Sequence, residues 1–226
     1  MRETFKDSDL IRFHPIITHV GDMVNAIPET VEIESYVRGR TFEAMESANA
    51  KVNQALTGTA YSIDTNVEII DIPGYAPLVN DLNMCNLAKD ALEAVAPEEV
   101  LDVQHAVGTG STDMGDLSSF MPVVHPYAGG AVGKSHGNDY EIADPERACV
   151  TSAKWQLAMI KLLLSDGAER AKRIIAEHNP IFPSAQAFLD YQDSINTSGD
   201  RIEYRDDGSA VIKSVSKLTT DCSENI

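Results

Sequence analysis

Val31-Glu32-Ile33-Glu34-Ser35-Tyr36-Val37-Arg38-Gly39-Arg40-Thr41-Phe42-Glu43-Ala44-Met45 changes its period partway along, and that change sets the fold class. Val31, Ile33, Ser35 and Val37 alternate with Glu32, Glu34, Tyr36 and Arg38, the pattern of a half-buried strand. From Thr41 onward Phe42, Met45, Ala48, Val52, Ala55 and Leu56 follow helical spacing. Thr41 is placed to cap the first turn, and Gly58 is expected to end the helix. Strand-like Phe13 to Val20 precedes this segment, separated from it by the turn residues Gly21-Asp22 and Pro28-Glu29. Tyr61 to Ile72 reads as a further strand, closed by Pro73-Gly74. Residues 12–72 are therefore expected as a small α+β unit.

Pro73 to Pro77 reads as a linker. Past it, Leu82, Leu87, Ala88, Ala91, Leu92 and Val95 form one helical face that stops before Pro97. Glu98 to Val107 and Ser119 to Tyr127 offer two short strands. Asp144-Pro145 joins a capping carboxylate to a proline at the first helical position, a strong helix start. The helix runs through Trp155, Leu157, Ile160 and Leu163 to Gly167, and a second continues toward His178, with Pro180 beyond. A short helix after Ser184 and a hairpin around Asp207-Gly208 follow, and residues past Lys217 are expected to be disordered.

The charge balance narrows the partners. Acidic residues number 35 against 18 basic ones, a net charge of −17, which disfavours nucleic acid and anionic membranes. Cys85, Cys149 and Cys222 are widely spaced with no C-x-x-C pair, so reduced thiols and a cytoplasmic location are expected. No apolar run approaches the length of a membrane span, and the first residues lack the apolar core of a signal peptide.

Three motifs invite chemistry. Ala128-Gly129-Gly130-Ala131-Val132-Gly133-Lys134-Ser135 satisfies the loose phosphate-loop pattern. A phosphate loop must open a helix, and His136-Gly137-Asn138-Asp139 is poor helix material, so the glycines are read as points of close backbone approach. Among the histidines His14, His19, His105, His125, His136 and His178, two flank this loop, with Asp113 and Asp116 upstream. Imidazole and carboxylate are the usual zinc ligands, but no pair has H-E-x-x-H spacing. In Thr18 to Pro28, His19 and Asn25 offer donors suited to an oxyanion or a substrate carboxylate. Spacing alone leaves both groups of histidines as ordinary surface or turn residues.

Two longer patterns go further. His19 to Pro28 matches H-x-G-x-x-N-x-I-P, and Gly110 to His136 carries G-S-T-D-x-G-D followed by V-x-H-P-Y and a histidine. On these the sequence resembles metallopeptidase family M-twenty, most of all the amidohydrolase branch with the aminobenzoyl-glutamate hydrolase B subunit and related dipeptidases. The resemblance runs from about Arg2 to the helix near Leu164. It implies an α/β fold: a partial ferredoxin-like (α+β) dimerisation lid over residues 1–76, the C-terminal part of a zinc-peptidase α/β catalytic domain over 77–182, and a C-terminal extension over 183–226.

The resemblance also implies an activity: hydrolysis of an amide bond in N-acyl amino acids or dipeptides, with two zinc ions in the complete enzyme. By it His136 matches the last metal ligand, His19 the lid histidine that stabilises the tetrahedral oxyanion, and Asn25 a substrate-holding residue. His125 and Asp113 would line or support the site. The family's other metal ligands and its general-base glutamate precede the lid, so this chain is expected to be a C-terminal fragment, inactive alone. Its expected partners are the small amide substrate and either a second copy through the lid or a complementing N-terminal chain. A non-catalytic dimerisation or regulatory module is the alternative.

Overall fold

The computed structural model describes residues 2–101 and 110–213. In chain order the elements are β1 (Arg12–His19), β2 (Glu32–Arg38), α1 (Phe42–Tyr61), β3 (Glu68–Asp71), α2 (Leu82–Val95), α3 (Met114–Ser118), β4 (Ala131–Val132), β5 (Glu141–Ile142), α4 (Ser152–Leu164), α5 (Glu169–Glu177), α6 (Ala185–Ile195), β6 (Thr197–Asp200), β7 (Ile202–Tyr204) and β8 (Ala210–Ile212). Helix and strand are thus mixed, as expected of an α/β or α+β protein. The chain divides into two compact units, one of residues 1–77, 107–111 and 186–226, the other of 78–106 and 112–185.

In the first unit β1 and β2 form an antiparallel hairpin, with Arg12 opposite Arg38, Ile17 opposite Ile33, and a bulge before His19. Among the described residues neither strand has a second neighbour. Thr41 caps α1 by accepting a hydrogen bond from the Ala44 N–H at 3.2 Å. Gly58 does not end this helix, which continues to Tyr61. Thr57 just before the glycine and Ala60 beyond it are both buried, so packing outweighs the roughly 1 kcal/mol cost of a mid-helix glycine. The strand expected over Tyr61 to Ile72 shrinks to β3 because α1 takes its start and a turn follows. β3 pairs antiparallel with β6, not with the hairpin. Buried Asn53 of α1 donates to Asp71 of β3 at 2.7 Å, and Phe42 meets Tyr191 of α6 edge-on at 5.2 Å. The hairpin at Asp207-Gly208 forms as β7 and β8, with Gly208 at φ 82° in the turn. The expectation for residues past Lys217 lies outside the described residues.

The second unit is built on helices. Asp81 caps α2 by accepting from the Met84 N–H at 3.0 Å. One face of α2, with Leu87, Ala88 and Ala91 fully buried, packs on α4, whose Trp155 donates its indole N–H to the Ala88 carbonyl at 2.6 Å. That bond satisfies the single polar atom the large ring brings into the core. Asp144 accepts from the Arg147 N–H at 3.0 Å, a π-helical turn over Glu146–Thr151 leads into α4, and Gly167 breaks the helical run at φ 71°.

The strand expected over Ser119 to Tyr127 does not form. Its carbonyls at Ser119 and Val123 instead accept single bonds from the Phe182 and Asp81 N–H groups, both at 2.8 Å. These bonds satisfy the backbone without a ladder. Glu98 to Leu101 is a turn and coil, and the rest of that expected strand falls among residues 102–109, outside the description. Among the described residues no helix is long and apolar enough to cross a membrane.

Candidate functional site

The first long motif lies in the first unit, and the second lies in the second unit from Thr112 onward. In the first unit His19 ends β1 opposite Glu32, just past the bulge, with its side chain exposed. Asn25 sits in the following turn, where the Ala26 N–H donates to the Met23 carbonyl at 3.4 Å. It too is exposed. Gly21, at φ 93°, brings the start of this loop against its end, since a Cβ there would lie 2.9 Å from the Pro28 Cβ. The loop therefore presents His19 and Asn25 as solvent-facing donors on a closed turn.

In the second unit Asp113 lies at the start of α3 and accepts from the Thr112 hydroxyl at 3.1 Å. Gly110 and Ser111, the first residues of the same motif, belong to the first unit. The His125 N–H donates to the Asn80 side chain at 2.9 Å, and its ring stands edge-on to Tyr127 at 5.7 Å. Its Nδ1 is buried with no hydrogen-bond partner among the described residues. His136 lies in the loop between β4 and β5, exposed, in the left-handed conformation at φ 62°. Such backbone is uncommon for a residue with a side chain.

The glycine-rich stretch before His136 opens no helix. Val132 is followed by a loop that returns through β5, with Asp139 accepting from the Lys134 N–H at 3.3 Å. The glycines serve packing. A Cβ on Gly130 would stand 2.7 Å from the Asp144 carbonyl oxygen, and one on Gly129 2.8 Å from the Arg147 guanidinium. The loop thus lies against the start of the π-helical turn, where a side chain at Gly130 would meet backbone.

A catalytic zinc takes about three protein ligands. Among the described residues no three His, Cys, Asp or Glu side chains come together as a metal group. His136 offers one imidazole; the described residues by themselves do not fit a metal centre.

A pair that the sequence motifs passed over lies elsewhere in the second unit. His178, at the C-terminal end of α5, has its Nδ1 3.0 Å from a carboxylate oxygen of Asp81, whose other oxygen caps α2. Both side chains are mostly buried, and the His178 Nε2 has no partner among the described residues. The two residues are 97 positions apart, so no local pattern could join them. One turn further along α2, burial pushes the Cys85 thiol above its ordinary pKa, with the Asp81 charge adding to the effect.

The chain is similar to the mouse Xaa-Arg dipeptidase, 26% identical over 122 residues, which is 51% of this chain and 27% of the dipeptidase. The matched stretch thus spans only about a quarter of that relative's length. No protein-family model and no solved structure matches the chain. The similarity is to a hydrolase of the peptidase type.

Proposed function

We propose that this chain serves a peptidase-type hydrolase that cleaves an amide bond in N-acyl amino acids or dipeptides. The similarity to the dipeptidase carries this reading, and the two motifs around His19 and His136 support it. In it the His19 imidazole donates to the oxygen that gains negative charge as the amide carbonyl becomes tetrahedral. Such a donor is worth about 3–4 kcal/mol of barrier. Asn25, six residues on and equally exposed, holds a polar group of the substrate through its amide. His125 lines the substrate site. His136 is the ligand this chain lends to a zinc centre whose other ligands and general base come from polypeptide beyond the described residues.

The hairpin favours a second reading, in which the chain is a dimerisation or regulatory module. Ile16, Ile17 and Ile33 are each at least half exposed on strands that have no second neighbour among the described residues. Pairing with a second copy or a complementing chain would cover them.

Hydrolysis of a panel of dipeptides and N-acyl amino acids separates the readings, with the chain assayed alone and after adding the N-terminal half of a related enzyme, zinc present in both. Turnover that appears with the added half and falls on His19→Ala and His136→Ala supports the hydrolase. Silence in both mixtures, with the chain folded, leaves the module.

A further inference from the structure

We propose that a small cavity in the first unit, bordered by Arg12, Arg38 and Arg40, binds a tetrahedral oxyanion of the phosphate type. The inference is independent of the amide-hydrolase reading.

Its basis is a concentration of charge that runs against the composition. The chain has 18 basic residues against 35 acidic ones, yet among the described residues three arginines line this cavity and no aspartate or glutamate does. Arg12 stands directly opposite Arg38 across the hairpin. Like charges in that register destabilise a strand pair unless something lies between them. Among the described residues neither Arg12 nor Arg40 has a carboxylate oxygen within 4.0 Å. Arg12 reaches only the carbonyl of its neighbour Ile11, at 3.3 Å, and Arg38 donates to the His14 Nδ1 at 3.4 Å.

The backbone of the cavity wall is tightly packed. A Cβ on Gly39 would lie 2.9 Å from the Ile11 Cδ1 and 3.2 Å from the Met45 Cγ, so the backbone between Arg38 and Arg40 is pressed against the body of the unit. Tyr75 and Ser111 also border the cavity, adding hydroxyl groups able to donate. The cavity is about 30 Å³ and partly open to solvent, so that only the charged head of a ligand would enter it.

Ligand class follows from charge and geometry. Guanidinium forks match planar or tetrahedral oxyanions and form the stronger, charge-assisted hydrogen bonds. Three of them outweigh a single carboxylate charge. A phosphate group carries about −1.5 to −2 near neutral pH and three strong acceptor oxygens.

The test uses the full chain with inorganic phosphate, acetate or chloride at matched ionic strength and pH. Phosphate is expected to broaden its own ³¹P resonance saturably and to raise the unfolding temperature above that in chloride. Arg12→Gln and Arg40→Gln, checked for folding by circular dichroism, should each weaken phosphate binding about tenfold, the loss of one charge-assisted contact. Equal effects of phosphate and chloride would overturn the proposal, as would variants that keep the wild-type affinity. Acetate competing as well as phosphate would overturn the tetrahedral assignment. Should either variant fail to fold, the wild-type ³¹P titration decides alone.

Discussion

The face that α2 and α4 share in the second unit is hidden, although Leu157 and Ile160 of α4 stay exposed, while the hairpin of the first unit leaves its isoleucines in water. On α2, Leu87, Ala88 and Ala91 are 0% exposed; on the hairpin, Ile17 is 62% exposed and its cross-strand partner Ile33, on the same face, is 50%. Both segments show the periodicity expected of their element. Periodicity puts apolar side chains on one face, but whether that face is covered depends on what else the chain brings to it. For α2 the cover is α4. For the hairpin, no second strand neighbour exists among the described residues.

Trp155→Ala tests the covered side most severely. The ring is buried in the α2–α4 cluster and bonded to the Ala88 carbonyl, so its removal should cost about 3–5 kcal/mol, the range for large-to-alanine changes in a core. Urea unfolding followed by circular dichroism measures it. A loss below about 1 kcal/mol, the level of surface changes, would mean that the two helices do not share a core.

Asp81→Ala comes next. It removes the α2 cap, about 1 kcal/mol, and leaves a mostly buried His178 with neither ring nitrogen bonded, about 1–3 kcal/mol more. Together these predict a loss of about 2–4 kcal/mol in the same unfolding measurement. Asp81→Asn retains a capping oxygen and should recover part of it. If the two substitutions cost the same, the capping bond contributes nothing.

What was legible in the sequence follows the same division. Thr41 as a cap, the α2 face, the Asp144-Pro145 helix start and the Asp207-Gly208 hairpin all rest on contacts within a few residues, where spacing and turn chemistry decide. β3 found its partner in β6, more than 120 residues later, because strand pairing carries no local signature of which edge will be met. Gly58 failed as a stop because the helix is packed on both sides of it, through buried Thr57 before and Ala60 beyond. At the candidate site the motifs located His19, Asn25, His125 and His136 by position, while their surroundings came only with the fold. The Asp81–His178 pair had no sequence signal at all.

On the uncovered side, Ile17→Ser should change the stability of the isolated chain by no more than about 0.5 kcal/mol, because a side chain already in water loses little when shortened. Sedimentation of the same variant adds a second readout. If the hairpin pairs with another copy, the substitution weakens self-association while leaving the monomer's unfolding midpoint unchanged. A large fall in monomer stability would show that the hairpin is covered within its own chain.

The smallest effect is expected at the surface ion pair of the second unit, where Arg147 grips both carboxylate oxygens of Glu99. The hydrogen bonds from Arg147 hold the Glu99 carboxyl below its ordinary range. A carboxyl whose pKa is lower folded than unfolded releases its proton more readily in the native state. Its contribution is therefore complete above the unfolded value, about 4.3, and disappears as pH falls through the folded one. Glu99→Gln should leave the change in stability between pH 7 and pH 5 as it is and flatten the fall below about pH 4.5. Because the pair faces solvent, salt should shrink the difference between variant and wild type. A difference that instead persists undiminished in 1 M salt would place Glu99 and Arg147 with the covered core rather than on its rim.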